Sequence, residues 1–216
     1  LNYKVELDFP RMINGKTSQK VVIISRKYVV EKKFKNWTIE DISNHHVKQH
    51  MIKHGKGGTY TETVNKNHVG QEYQGAFVSQ ARKSLFADLL DALLSYYKGK
   101  DHSNVFVWLD LFSVNQAKWD EMPPEVREPL LSGGLHEAIK SFDEVLVYFN
   151  ESADPIVLKR AWCIWEVYGM AIVDKKIEII LSPEQEKKHV DTLKSNFKSI
   201  MQNLSTINAE NAECFT

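Results

Sequence analysis

Two short runs of almost uninterrupted apolar residues limit the fold more than any other feature of the chain. Asn104 to Phe112 reads Asn, Val, Phe, Val, Trp, Leu, Asp, Leu, Phe, and Glu144 to Phe149 encloses Val145, Leu146, Val147 and Tyr148. A strand with one face in water alternates apolar and polar residues, whereas these runs do not alternate, so each predicts a strand covered on both faces. Between them and upstream, Leu85, Phe86, Leu89, Leu90, Leu93, Leu94 and Tyr97 fall at i, i+3, i+4 spacing with no Gly or Pro until Gly99, which predicts an amphipathic helix. Buried strands alternating with helices point to a parallel sheet.

The rest of the chain extends this alternation. Gly75 to Ser79 is a short apolar strand leading into Gln80, Ala81, Arg82 and Lys83. A long loop around Met122, Pro123, Pro124 and Pro129 is followed by a short helix near Gly134 to Phe142. A helix from about Pro155 to Val173, a strand from Lys176 to Leu181 and a polar helix from Pro183 to about Leu204 complete the series. The fold class is α/β, a doubly wound, mostly parallel sheet with helices on both faces. In such sheets ligands sit at the carboxyl ends of the strands, so residues 79–82, 110–116 and 149–154 are expected to converge.

Upstream, Val21 to Ile24 predicts a strand that Tyr28 to Val30 extend after a break. Thr38 with Asp41 forms a capping-box pattern at the start of a helix whose apolar positions are Ile39, Ile42, Val47 and Met51. Gly55, Gly57 and Gly58 end it, and residues 59–74 read as a polar connection.

The 216 residues suffice for one full domain with an added arm. Lys plus Arg is 28 and Asp plus Glu is 28. That balance excludes a uniformly basic nucleic-acid binder and an acidic, solvating chain. The neutrality is uneven, because residues 1–37 carry a net charge of +6. The chain therefore reads as a basic N-terminal extension, 1–37, and an acidic domain, 38–216, with its core at 75–182. Cys163 and Cys214 make neither a disulfide framework nor a metal-type pair, which fits a reducing, intracellular, cytoplasmic setting. No apolar run reaches the 18 or so residues of a membrane span.

Phosphate-binding glycine fingerprints of the GxGxxG and GxxxxGK types are missing, as is a GxSxG elbow. His46, His50 and His54 stand at i, i+4, i+8 on one helix, but without a further ligand or an intervening Glu they read as a solvated face, and no metal is expected. Two carboxylates stand out. Asp110 interrupts an apolar run, and Glu166 lies in Ala161-Trp162-Cys163-Ile164-Trp165-Glu166-Val167-Tyr168. Burying an unpaired carboxylate costs several kcal/mol, so each is paired, at a strand end or on a cleft rim. For Glu166 two readings stand: a structural partner of Arg160, or a carboxylate of raised pKa that acts on a substrate.

Phe77, Val78 and Ser79 before a helix, Ser141 to Phe149, and Arg160-Ala161-Trp162-Cys163-Ile164-Trp165-Glu166-Val167 together resemble a Toll/interleukin-1 receptor (TIR) domain. Its signature of Trp, Cys, Glu and an aliphatic residue is met by Trp162, Cys163, Glu166 and Val167. Trp108, Asp110, Asn115 and Gln116 are similar to the Trp-x-Asp-x-x-x-x-Asn-Gln strand of fungal heterokaryon-incompatibility domains, which are distant TIR relatives. The greatest likeness, over about residues 38–182, is to a protist and algal group with Phe-Val-Ser-His-Ala-Trp, Asp-x-Phe-x-Val-Asn-Gln and Arg-Ala-Trp-Cys-x-Trp-Glu motifs. The His and Trp of the first motif are Gln80 and Arg82 here. That group continues with a further helical segment, so the chain is expected to lack a closing element.

The resemblance implies a TIR/flavodoxin-like, Rossmann-like fold and two functions. The leading one is a protein-interaction or scaffold domain of a larger assembly, with protein partners or self-association, no membrane and no specific nucleic acid. The alternative is an NAD glycohydrolase. There Glu166 stabilises charge as the glycosidic bond breaks, while Ser79, Gln80, Arg82, Asp110 and Trp162 line the nucleotide cleft. NAD is then a substrate, and no resident cofactor is implied. Trp162 and Trp165 either stack on a ring or pack in the core.

Overall fold

The computed structural model describes residues 4–13, 16–25, 34, 36–54, 58–60, 63, 74–100, 105–119, 121–129, 139–151, 154–172 and 175–205. Its centre is a four-stranded, all-parallel sheet of β3 (Gln74–Ser79), β4 (Val105–Trp108), β5 (Glu144–Tyr148) and β6 (Ile177–Ile180), in the order β4-β3-β5-β6. The step from β3 to β4 runs one way across the sheet, and the steps to β5 and β6 run the other way. With right-handed crossovers this reversal places helices on both faces. The doubly wound α/β fold expected from the two apolar runs is therefore present.

One face is covered by α3 (Phe86–Tyr96), which rests against β6 and against the long α8 (Pro183–Ser205). The other is covered by α7 (Ala161–Ile172), which packs on β3. Register assigns the strand residues to these faces. Phe77 stands beside Val145, and Val145 beside Ile177; Ser79 stands beside Val147, and Val147 beside Ile179. These side chains share the α7 face. Ala76, Val78, Leu146 and Glu178 share the α3 face, and Glu178 accordingly lies near Tyr96 and Lys100 at the end of α3.

The core is continuous from Ile39, Ile42 and Val47 through Phe77, Leu89, Leu90, Leu93 and Val145 to Met170 and Ile180. Phe77 stacks on Trp108 with ring centroids 4.7 Å apart, joining the two left-hand strands. At the amino end of the sheet, Tyr96 and Tyr97 donate to the two carboxylate oxygens of Glu144, at 2.8 and 2.5 Å.

The helix expected from Thr38 begins there with both halves of its capping box formed. Thr38 Oγ1 accepts from the Asp41 amide at 3.1 Å, and the Asp41 carboxylate accepts from the Thr38 amide at 2.9 Å. It is not uniform: α1 (Ile39–Ile42) passes through a π turn (Ser43–Val47) into α2 (Lys48–His54). Backbone bonds from Ile39 and Glu40 to the carbonyls of Ser84 and Arg82 fasten this helix to the loop leaving β3. Phe34 and Trp37 also pack here, in edge contact at 4.7 Å.

Four boundaries differ from expectation. The strand expected to run to Phe112 ends at Trp108, because the chain turns into α4 (Asp110–Ser113), with the Ser113 amide bonded to the carbonyl of Leu109 at 3.2 Å. The expected loop contains α5 (Gln116–Trp119) and α6 (Pro124–Pro129), the latter opened by a proline whose missing N–H is harmless at a helix start. The helix expected from Pro155 is split into a 3-10 turn (Ile156–Lys159) and α7 by the extended backbone of Arg160. The strand expected at Val21 to Ile24 belongs to β2 (Lys16–Ser25), paired antiparallel with an unforeseen β1 (Lys4–Ile13). This hairpin lies beside β4. Of the short helix expected near Gly134 to Phe142, residues 139–141 are helical; its earlier part and Tyr28 to Val30 lie outside the described residues.

Candidate functional site

Ser79 is the last residue of β3, Asp110 is the second residue after β4, and Glu166 is the sixth residue of α7. All three are therefore at the carboxyl end of the sheet, where a doubly wound fold leaves its crevice. Ser79 Oγ donates to Glu166 Oε2 in a very short hydrogen bond. The residue Glu166 retains some exposure, but its carboxyl group is enclosed by protein atoms. Burial pushes its pKa up to about 8, opposed by the bond from Ser79. Within that net value the negative charge of Asp110 also raises it, and the guanidinium groups of Arg160 and Arg82 hold it down. Arg160 is itself buried, at 8% exposure.

Asp110 is the hub of a second set of bonds. Its Oδ1 accepts from Gln80 Nε2 at 2.8 Å, and its Oδ2 accepts from Arg82 Nη2 at 2.9 Å. Its own carbonyl accepts from Gln116 Nε2 at 2.8 Å. Gln116 Oε1 in turn accepts from Arg82 at 3.0 Å and from Ser43 Oγ at 3.3 Å. These bonds join the loop after β3, the start of α4, the start of α5 and the π turn. The bond to the Asp110 carboxylate fixes the Gln80 amide orientation, since a flipped amide would set two acceptors face to face. Gln80 Oε1 is consequently left buried without a hydrogen-bond partner.

Cys163, one turn before Glu166, is buried and donates its thiol to the Gln80 carbonyl at 3.6 Å. Burial holds that thiol well above the usual cysteine range, so it is a poor nucleophile. Trp162 is partly buried on the first turn of α7. Among the described residues no group of three or more His, Cys, Asp or Glu side chains is arranged to hold a metal ion. His46 Nε2 lies 3.0 Å from the Tyr60 hydroxyl, and the rings of His50 and His54 are 5.0 Å apart. Burial, followed by the neighbouring imidazole, lowers the pKa of His46 and of His50.

The structure thus brings Ser79, Gln80, Arg82, Asp110 and Glu166 into one cluster. Two further members carry no obvious sequence signal of their own. Gln116, 3% exposed, is marked only by its place in the Trp108, Asp110, Asn115, Gln116 spacing, and Ser43 by nothing local.

The fold and site together define a doubly wound α/β domain with a buried carboxyl group, Glu166, at the carboxyl edge of its sheet. No family model, curated protein or solved structure matches the chain.

Proposed function

We propose that the domain is a TIR-like NAD glycohydrolase, with Glu166 as its catalytic carboxylate. The observation that carries this reading is the position of Glu166: recessed at the carboxyl edge of the sheet and bonded to a serine side chain at a strand end. In the proposed reaction the bond between ribose C1′ and the nicotinamide nitrogen breaks, and its electron pair neutralises the pyridinium ring. The ribose is left with oxocarbenium character, which the Glu166 carboxylate stabilises. Water then adds to C1′ and loses a proton to solvent. Fixed charge beside a developing cation is where a protein gains most catalytic leverage.

Ser79 orients Glu166, and Arg82 and Asp110 form the polar rim of the nucleotide cleft, with Trp162 beside it. NAD is the substrate and no resident cofactor is needed. Among the described residues no helix is long and apolar enough to cross a membrane, and an intracellular site is part of the same proposal.

The test is nicotinamide release from NAD by the purified chain at high concentration, beside Glu166→Gln. Turnover that disappears in the variant supports the reading. No turnover, or turnover unchanged in the variant, sinks it.

A second reading, a protein-interaction domain, is favoured by the apolar exposure of Trp165, Tyr168 and Ile172 along the outer side of α7.

A further inference from the structure

β6 is an edge strand: among the described residues its outer side is paired with no other strand. Edge strands are ordinarily blunted by proline, a bulge or unneutralised charge, since an open row of backbone donors and acceptors invites another strand. β6 has none of these. Of the two lysines before it, Lys175 donates to the Phe142 carbonyl at 2.6 Å, and Lys176 is neutralised by Glu178 two residues on, at 2.5 Å. The strand also keeps apolar side chains in solvent, Ile177 at 37% and Ile179 at 56% exposure. Both point to the α7 face, where Tyr168 and Ile172, one turn apart, are 54% and 58% exposed.

The order Lys176-Ile177-Glu178 is self-complementary when read antiparallel. Centring a two-fold axis on Ile177 sets each Lys176 opposite Glu178 of the second copy and Ile177 opposite itself. Centring on Glu178 would oppose two carboxylates, and centring between them would leave both Glu178 carboxylates opposite Ile177 and out of reach of a lysine partner. Directly opposite residues share a sheet face, so the two lysines and two glutamates would alternate in sign on the α3 face. On the other face Ile177 would meet Ile177, with Ile179 opposite Lys175 on either side.

We propose that the chain forms a two-fold dimer by antiparallel pairing of β6 with β6 of a second copy, making one eight-stranded sheet centred on Ile177. Tyr168 and Ile172 are exposed on the helix that covers this same face of the sheet. The interface is isologous, so it closes at two copies and does not propagate into a filament. It lies at the strand edge, away from the Ser79, Asp110 and Glu166 cluster. The proposal rests on the interaction reading and is independent of hydrolysis. A monomeric result removes this partner while leaving docking of a different protein to α7 as a separate question, and nicotinamide release is unaffected by either outcome.

The test is sedimentation equilibrium of the full chain without nucleotide over a wide dilution series. The wild type is expected to dimerise reversibly. Glu178→Lys and Lys176→Glu, each placing like charges opposite one another twice, are expected to weaken the dimer by ~10-fold or more. An equimolar mixture of these two variants is expected to form a heterodimer, and the double reversal in one chain to recover the homodimer. Far-UV circular dichroism checks that each variant is folded. As an independent measurement, Ile177→Cys is expected to give a disulfide-linked dimer on mild oxidation, and Ile179→Cys, whose residue faces Lys175 of the second copy, is not. A monomeric wild type at every concentration overturns the proposal. So does a dimer indifferent to the single reversals, or a mixture that fails to pair.

Discussion

The hydroxyl of Ser79, at the end of β3, donates to Oε2 of Glu166, 87 residues further along the chain on α7. A serine in this position can favour the ionised carboxylate and fix its rotamer, but it cannot replace its charge. Glu166→Gln is therefore expected to lower kcat for nicotinamide release by roughly 100-fold or more, the usual scale for losing a fixed transition-state charge. Ser79→Ala is expected to cost about 10-fold, the worth of one strong hydrogen bond. Steady-state assays of the two variants at matched protein concentration check the order. Equal losses would mean that Ser79 does more than orient.

The pKa of Glu166, about 8 and well above an ordinary glutamate, gives two opposite pH trends. Stabilising a cation requires the ionised form, so kcat/KM is expected to rise as pH rises through about 8 and then level off. Stability runs the other way. The folded state holds this proton more tightly than the unfolded chain, so the contribution is full below the unfolded value near 4.5 and is lost as pH rises through about 8. Glu166→Gln, having no charge to bury, should flatten that decline and match or exceed the wild type in urea midpoint above pH 8. A wild type whose midpoint does not fall between these values would contradict a buried carboxyl.

Asp110 and Arg82 pull the Glu166 pKa in opposite directions, and their removal should separate them. Asp110→Asn takes away a negative neighbour and is expected to move the kcat/KM midpoint to lower pH. Arg82→Ala and Ser79→Ala take away groups that favour ionisation and are expected to move it higher. Purely structural damage would lower the plateau without such opposed displacements. Each member of the Arg82–Asp110 pair keeps 30% side-chain exposure, so the pair itself adds little stability, about 0 to 1 kcal/mol. Gln116 differs because it is buried and bonded to three groups. Gln116→Ala takes one bond each from Ser43, from Arg82, which keeps Asp110, and from the Asp110 carbonyl, which keeps the Val114 amide; it is expected to cost about 1 to 3 kcal/mol in chemical denaturation.

The sheet was legible because its strands are buried on both faces, and burial leaves an apolar run that needs no partner to be recognised. Residue periodicity could not show where the run at Asn104 to Phe112 stops. Leu111 and Phe112 are as buried in α4 as they would be in a strand, so apolarity alone does not distinguish the two. The site was legible in part. Ser79, Asp110 and Glu166 are polar residues in apolar surroundings, and strand ends bring them together by topology. Gln116 stands in the spacing after Trp108 without a role, and Ser43 acts through a bond to a residue 73 positions away, which no local pattern records. β1 carries no strand signal for a different reason: Lys4 to Ile13 contains a proline and charges, features that argue against a strand until a partner is known.

Thr38 ties the helix before the sheet to the loop that carries the site, since the backbone of Ile39 and Glu40 bonds to Ser84 and Arg82. Thr38→Ala removes the side chain that accepts from the Asp41 amide at 3.1 Å and donates to its carboxylate at 2.7 Å. The expected loss is about 1 kcal/mol, as for other N-cap threonines. The effect should also depend on acid. Hydrogen bonds from the Thr38 side chain and backbone hold the Asp41 carboxyl below its usual range. Its contribution is therefore present above the unfolded value near 3.8 and is lost as pH falls through the depressed one. Urea midpoints of the wild type and Thr38→Ala should accordingly draw together as pH is lowered below 4. A gap that stays constant into strong acid would mean that the hydroxyl stabilises the helix without its carboxylate partner.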